Sequence, residues 1–205
     1  AICVSLSVGM GVSLEKVVPG LWVIVYSAFF AALYLAGKLW FDDGEGFWQR
    51  PFRNYGMAGL VVLSYIFTFR WVWADVGWRY YRAGWGFQTE AGYMDYLIVA
   101  VLFVTALIFL VHAATQKRFF ESAFGVIPVI ATLCYSIASS SGNENISSGI
   151  FSAYLFFLGG LCIYSGVREI RLDLTNCGIF ISGVVLLTRF LDASLGILER
   201  SVVFI

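Results

Sequence analysis

Charge is what this 205-residue sequence has least of: Asp, Glu, Lys and Arg together make up 13%, where a soluble domain carries about 25%. Half of the usual solvated surface is missing, which argues against a water-soluble globule. Thirteen cations balance thirteen acids, so there is no basic footprint for nucleic acid and none is expected as a partner. Histidine is nearly absent, with His112 alone, and the four cysteines (Cys3, Cys134, Cys162, Cys177) have no C-x-x-C spacing. Such a set does not build a tetrahedral zinc site, and the cysteines read as small buried hydrophobes. Gly9-x-Gly11 lacks the continuation that a phosphate-binding loop requires. Rhomboid-type proteolysis, suggested by Ser147-Ser148-Gly149, needs a histidine on a later helix to activate the serine. His112 precedes it and Gly-x-Ser-Gly is missing. No cofactor and no catalytic residue is expected.

What is there is apolar. Hydrophobic residues make up 60% of the chain and the mean hydropathy is +0.83. Aromatic residues at 18%, seven of them Trp, suit a chain that meets two membrane–water interfaces. The expected fold is all-α, a polytopic membrane helix bundle forming one domain over 1–205. Ala1 and Ile205 both fall inside apolar runs, so the domain is expected to be truncated at both ends. With about 20 apolar residues per crossing, the pattern predicts about seven or eight transmembrane helices.

In order, residues 1–14 read as the tail of a first span and 17–37 as a second, with Ala28, Ala32 and Ala36 forming a small-residue stripe. Asp42, Asp43 and Glu45 read as a solvated loop. Pro51 suits a helix start, and a third span runs from 54 to 73, with Arg70, Trp71 and Trp73 at one interfacial depth. The aromatic, glycine-containing stretch 75–93 reads as a membrane-hugging loop or a short helix in the headgroup region. Spans follow at 95–116, at 119–139 (with Pro128 inside) and at 149–166. Residues 139–148, SSSGNENISS, read as a polar loop whose sequon match at Asn145 is chance. After the 168–173 turn come a span at 174–191 and the start of another at 201. Cations in short loops place Lys38, Arg50, Arg53, Lys117, Arg118, Arg168 and Arg171 on the cytoplasmic side and the Arg189–Arg200 element on the outer side.

The charges out of place are Arg189, Asp192 and Arg200. The uncharged run 174–188 is short for a span, so Arg189 sits at its outer end, with Asp192 three residues on along the same helical face. Ionisable residues at membrane depth are functional candidates by default. These three are the candidate binding residues, for a lipid headgroup or a small anion. The other reading is a clamp between spans.

The order of an arginine, Asn176-x-Gly178, an apolar span, Arg189-Phe190-Leu191-Asp192, Ser194, Leu195, Leu198 and Arg200 resembles a bacterial family of multi-spanning inner-membrane proteins of unknown function. Arg53-Asn54-Tyr55-Gly56 is compatible with it; Ser201 departs from the family's small glycine step. The resemblance implies a multi-pass protein of the bacterial inner membrane with membrane lipids as partners, and it implies no activity. Two alternatives stand beside a binding role. A secondary transporter would carry internal repeats and broken helices. A membrane enzyme acting on lipid-linked substrates would use the carboxylates Asp42, Asp43 or Glu45.

Overall fold

The structure, a computed structural model, describes residues 20–40, 51–83, 90–141 and 144–191. The expected first and eighth spans, the carboxylates Asp42, Asp43 and Glu45, and Cys3 lie outside them. Among the described residues all regular structure is helical: α1 Trp22–Trp40, α2 Pro51–Ile66, α3 Arg70–Ala83, α4 Glu90–Thr115, α5 Phe119–Gly125, α6 Ile127–Ser141, α7 Glu144–Arg168 and α8 Leu172–Leu191. Five helical stretches are long and apolar enough to cross a membrane, six when α2 and the start of α3 count as one bent span. The chain divides into two compact units, Ala1–Ile150 and Phe151–Ile205, so the division falls within α7.

In the first unit α1 is the hub, packing on α2, α4, α5 and α6. Its buried line runs through Val23, Ile24, Ser27, Ala28, Ala31, Tyr34 and Leu35, the stripe that a 3.6-residue repeat turns toward one side. The expected line Ala28-Ala32-Ala36 drifts off that stripe, and Ala32 and Ala36 are only half-buried. The close approach is made by glycines. A Cβ on Gly56 would lie 2.5 Å from the Tyr34 amide nitrogen, and one on Gly37 would lie 2.5 Å from that of Arg53. Gly59 faces the Phe30 ring in the same antiparallel register, and Trp22 meets Phe67 at 5.9 Å between ring centroids.

Pro51 opens α2 as expected, but the third span is not straight. The helix stops at Ile66 and the chain turns by 84° into Arg70–Val76. Trp71 and Trp73 therefore part company: Trp71 is 66% exposed and Trp73 1%. With Val72 and Val76, Trp73 is on the buried face of α3, which packs on α6. Pro128 acts where it was expected to. It has no N–H to offer the Phe124 carbonyl, and the helix is interrupted at Val126, between α5 and α6.

The serine-rich stretch 139–148 is not the loop its composition suggests. Helix α6 runs to Ser141 and α7 begins at Glu144. Ser136 returns its hydroxyl to the Thr132 carbonyl at 2.9 Å and Ser140 to that of Ser136 at 2.7 Å. Serines bonded to their own helix present no polar edge to the surroundings. Ser147 and Ser148 are buried.

The second unit is an antiparallel hairpin of α7 and α8. A Cβ on Gly178 would lie 2.6 Å from the Gly159 carbonyl oxygen, and one on Gly166 would lie 2.5 Å from the Thr175 amide nitrogen. The turn closes with Arg171 N–H donating to the Gly166 carbonyl at 2.8 Å, a helix ending that favours glycine in the left-handed position. Here that position is Ile170, at φ 55° and 90% exposed.

Three outcomes follow for thermal unfolding in detergent. Gly56→Ala forces the α1–α2 backbones apart and costs about 1–3 kcal/mol, whereas Gly160→Ala, which meets nothing within 4 Å, gains roughly 0.5–1 kcal/mol. Ile170→Gly relieves the left-handed strain and gains about 0.5–1 kcal/mol, net of the glycine's extra freedom when unfolded.

Candidate functional site

Two polar centres interrupt the apolar packing, one in each unit. In the second unit Arg189 occupies the last turn of α8, where the sequence puts it, and is half-buried. Its Nε donates to the Ser152 hydroxyl oxygen at 3.0 Å, and its Nη2 donates to the same oxygen. The hairpin register brings the two together. Gly166 lies opposite Thr175, Gly178 opposite Ile163 and Gly159 opposite Ser182. Continuing the same equal steps along both helices, Ser152 falls opposite Arg189.

The glycines that allow the hairpin to close thus also fix the guanidinium. A planar guanidinium directs its donors in a rigid fork and suits carboxylate and phosphate oxygens. Asp192 and Arg200, the other two expected members, lie outside the described residues. Ser152 was missed by the sequence reading. A serine in a chain with many carries no signal of its own, and only the hairpin register singles it out.

The turn end of this hairpin carries its own charges. Arg171 donates to Asp173 at 3.0 Å and lies 3.9 Å from Glu169. All three are exposed, and such surface pairs are worth little, about 0–1 kcal/mol.

In the first unit the polar centre is the break between α2 and α3. The carbonyls exposed by the turn are sealed by side chains: Trp73 Nε1 donates to the Phe67 oxygen at 2.7 Å, and the Ser148 hydroxyl donates to the Thr68 oxygen. Thr68 returns its own hydroxyl to the Tyr65 oxygen at 2.7 Å. Beside it, Ser147 donates to the Cys134 carbonyl at 3.1 Å. All four hydroxyl and indole groups are buried.

By the α1–α2 register the opposite end of this unit is the charged one. Arg118 donates to the Lys38 carbonyl at 3.4 Å, Lys38 lies 3.8 Å from Glu121, and the Arg53 backbone meets Gly37. The cations Lys38, Arg53 and Arg118, grouped by the loop count, do gather at one end. His112 stands apart, with its ring nitrogen 2.9 Å from the Gln116 amide nitrogen on an exposed face. Among the described residues no group of three His, Cys, Asp or Glu is placed to hold a metal ion.

No family model, no curated protein and no solved structure matches this chain.

Ser152→Ala takes away the acceptor of two Arg189 donors and lowers stability by about 1–3 kcal/mol. Arg189→Lys does not restore the wild-type value, because an ammonium cannot reproduce the two-nitrogen contact. Thermal unfolding of the two variants beside the wild type checks both.

Proposed function

We propose that the chain is a multi-pass protein of the bacterial inner membrane, of the multi-spanning family it resembles. In this reading the Arg189 centre binds an anionic group, a lipid headgroup or a small anion, at the outer face. The observation that carries the reading is a half-buried guanidinium fixed by the hairpin register at the end of an apolar span. Cations kept at that depth are retained for a purpose more often than by chance. Asp192 and Arg200 belong to the proposal as flanking charges: the carboxylate tempers the local potential and the second arginine widens the grip on an anion. The outward faces of α4 and α8, with Val101, Val104 and Ile108 on one and Phe180 and Leu187 on the other, are the surfaces that lipid tails would cover. The 75–93 stretch, expected as a loop or short helix of the headgroup region, overlaps the end of α3, whose start turns 84° from α2, and in this reading that stretch lies along the interface.

A second reading, a secondary transporter, is favoured by one specific observation. The span expected to be straight is broken, and broken helices are where transporters place their substrate and ion sites.

The test of the first reading is the lipid that stays with the purified protein. Wild type is expected to retain anionic phospholipid through detergent exchange, read by native mass spectrometry. Arg189→Gln and the charge-neutral triple variant at 189, 192 and 200 lose most of it while keeping their helical signal. Equal retention in the folded triple variant would sink the reading.

A further inference from the structure

Among the described residues the chain makes one kind of turn twice, once in each unit. After α4 the Lys117 amide donates to the Ala114 carbonyl at 3.0 Å and the Arg118 amide to that of Ala113 at 3.2 Å. After α7 the Ile170 amide donates to the Val167 carbonyl at 3.4 Å and the Arg171 amide to that of Gly166 at 2.8 Å. Both are the paired closing bonds of a helix end with a left-handed residue, and Lys117 (φ 56°) and Ile170 (φ 55°) hold that position. Each turn then offers its arginine carbonyl to the helix that follows. Ser122 donates to the Arg118 oxygen from its amide at 3.0 Å and its hydroxyl at 2.9 Å, and Thr175 to that of Arg171 at 3.1 and 3.2 Å.

The two turns differ in charge. In the second, Arg171 lies between its own counter-ions, Glu169 at 3.9 Å and Asp173 at 3.0 Å. The residues in the same places around Arg118 are Gln116 and Phe120, and the left-handed residue is a lysine in place of an isoleucine. Glu121, three residues on, goes to Lys38. Arg118 is half-buried, and among the described residues its guanidinium makes one hydrogen bond, the long one to the Lys38 carbonyl at 3.4 Å. That uses one of five donors. The Lys117 side chain is exposed and makes no bond among them. Because the same backbone closes with Glu169, Ile170 and Asp173 in place, the turn itself calls neither for a second cation nor for the loss of both carboxylates. Beside it Phe119 is 68% exposed, and Trp40, against Phe109 at 4.9 Å between ring centroids, is 56% exposed.

We propose that the Lys117–Arg118 turn binds the phosphate of an anionic phospholipid, with Arg118 as the directional donor and Lys117 as a point charge. An arginine fork fits phosphate oxygens, and an ammonium adds charge without fixed geometry. Lys38 and Arg53, at the same end of the unit, strengthen the positive field. Trp40 and Phe119 have exposed rings of the kind that settle among headgroups. In the topology given by the loop count this end is cytoplasmic, where anionic headgroups draw in basic segments next to a span. A lipid is favoured over a free anion because the turn closes α4, whose exposed Val104, Ile108 and Val111 lead up to it as apolar surface for the acyl chains. The site belongs to the first unit. It rests on the multi-pass reading and does not depend on Arg189.

The experiment counts the lipids held by the purified chain, by native mass spectrometry from micelles with equal phosphatidylglycerol and phosphatidylcholine. Wild type is expected to retain phosphatidylglycerol in preference. Arg118→Gln and Lys117→Gln, the second of which removes no bond from the fold, each weaken that retention about fivefold. The double variant loses one phosphatidylglycerol per chain. Arg189→Gln keeps this lipid, and losses from the two sites add, so failure here and failure of the Arg189 reading are told apart. Unchanged retention in Lys117→Gln and the double variant overturns the proposal, as does equal retention of phosphatidylcholine or displacement of the lipid by equimolar inorganic phosphate. A loss that appears only once Asp42, Asp43 and Glu45 are neutralised overturns it as well, by making those acids the anion that the turn holds.

Discussion

Backbone touches backbone where Gly56 meets Tyr34 and where Gly37 meets Arg53, and the first unit is laid out from that contact. In an apolar surrounding no hydrophobic force draws helices together; packing does, and only residues without side chains let two helices come this near. Once α1 and α2 are locked in register, Trp22 is carried to Phe67. The end of α2 is then fixed against the hub before the chain turns. Glycines play the same part in the second unit, and there the residue they deliver is Arg189. Both polar centres are consequences of close helix crossings.

The break after Ile66 obeys a stricter condition. Backbone carbonyls away from water must find donors inside the protein. At an 84° bend the helix cannot supply them all. Trp73 and Ser148 do so instead, one from the helix that follows and one from a helix eighty residues along the chain. The bend is therefore a tertiary feature, held by the packing of α3 and α7's first turns around it. Without those two donors a straight continuation of α2 would satisfy its own backbone better.

That dependence explains what the sequence does and does not disclose. Six internal apolar segments are legible because hydropathy adds up over a whole span, and single misplacements average out. Pro51 and Pro128 are legible because a missing N–H acts locally. Phe67-Thr68-Phe69 contains neither glycine nor proline, so nothing in it announces a turn; the cause lies in Trp73 and in distant Ser148. The run 139–148 misleads for the opposite reason. Serine is ambiguous, polar when its hydroxyl faces out and nearly silent when bonded to its own helix. Arg189 stands out at once, since a lone cation in apolar sequence has few innocent explanations, yet its partner Ser152, thirty-seven residues earlier, has no mark to distinguish it from other serines.

The short interval between α6 and α7 bears on how such a chain is made. Two residues separate Ser141 from Glu144, and Ser147 already reaches back to Cys134. A linker of that length leaves no slack for the first helix to settle while the second is still being synthesised. In the multi-pass reading proposed above, α6 and the start of α7 would enter a bilayer together, as a preformed hairpin. The hydroxyls of Ser136 and Ser140 would travel already bonded to their own helix, and a stretch that looks too polar for the lipid interior would be presented to it with its dehydration largely complete.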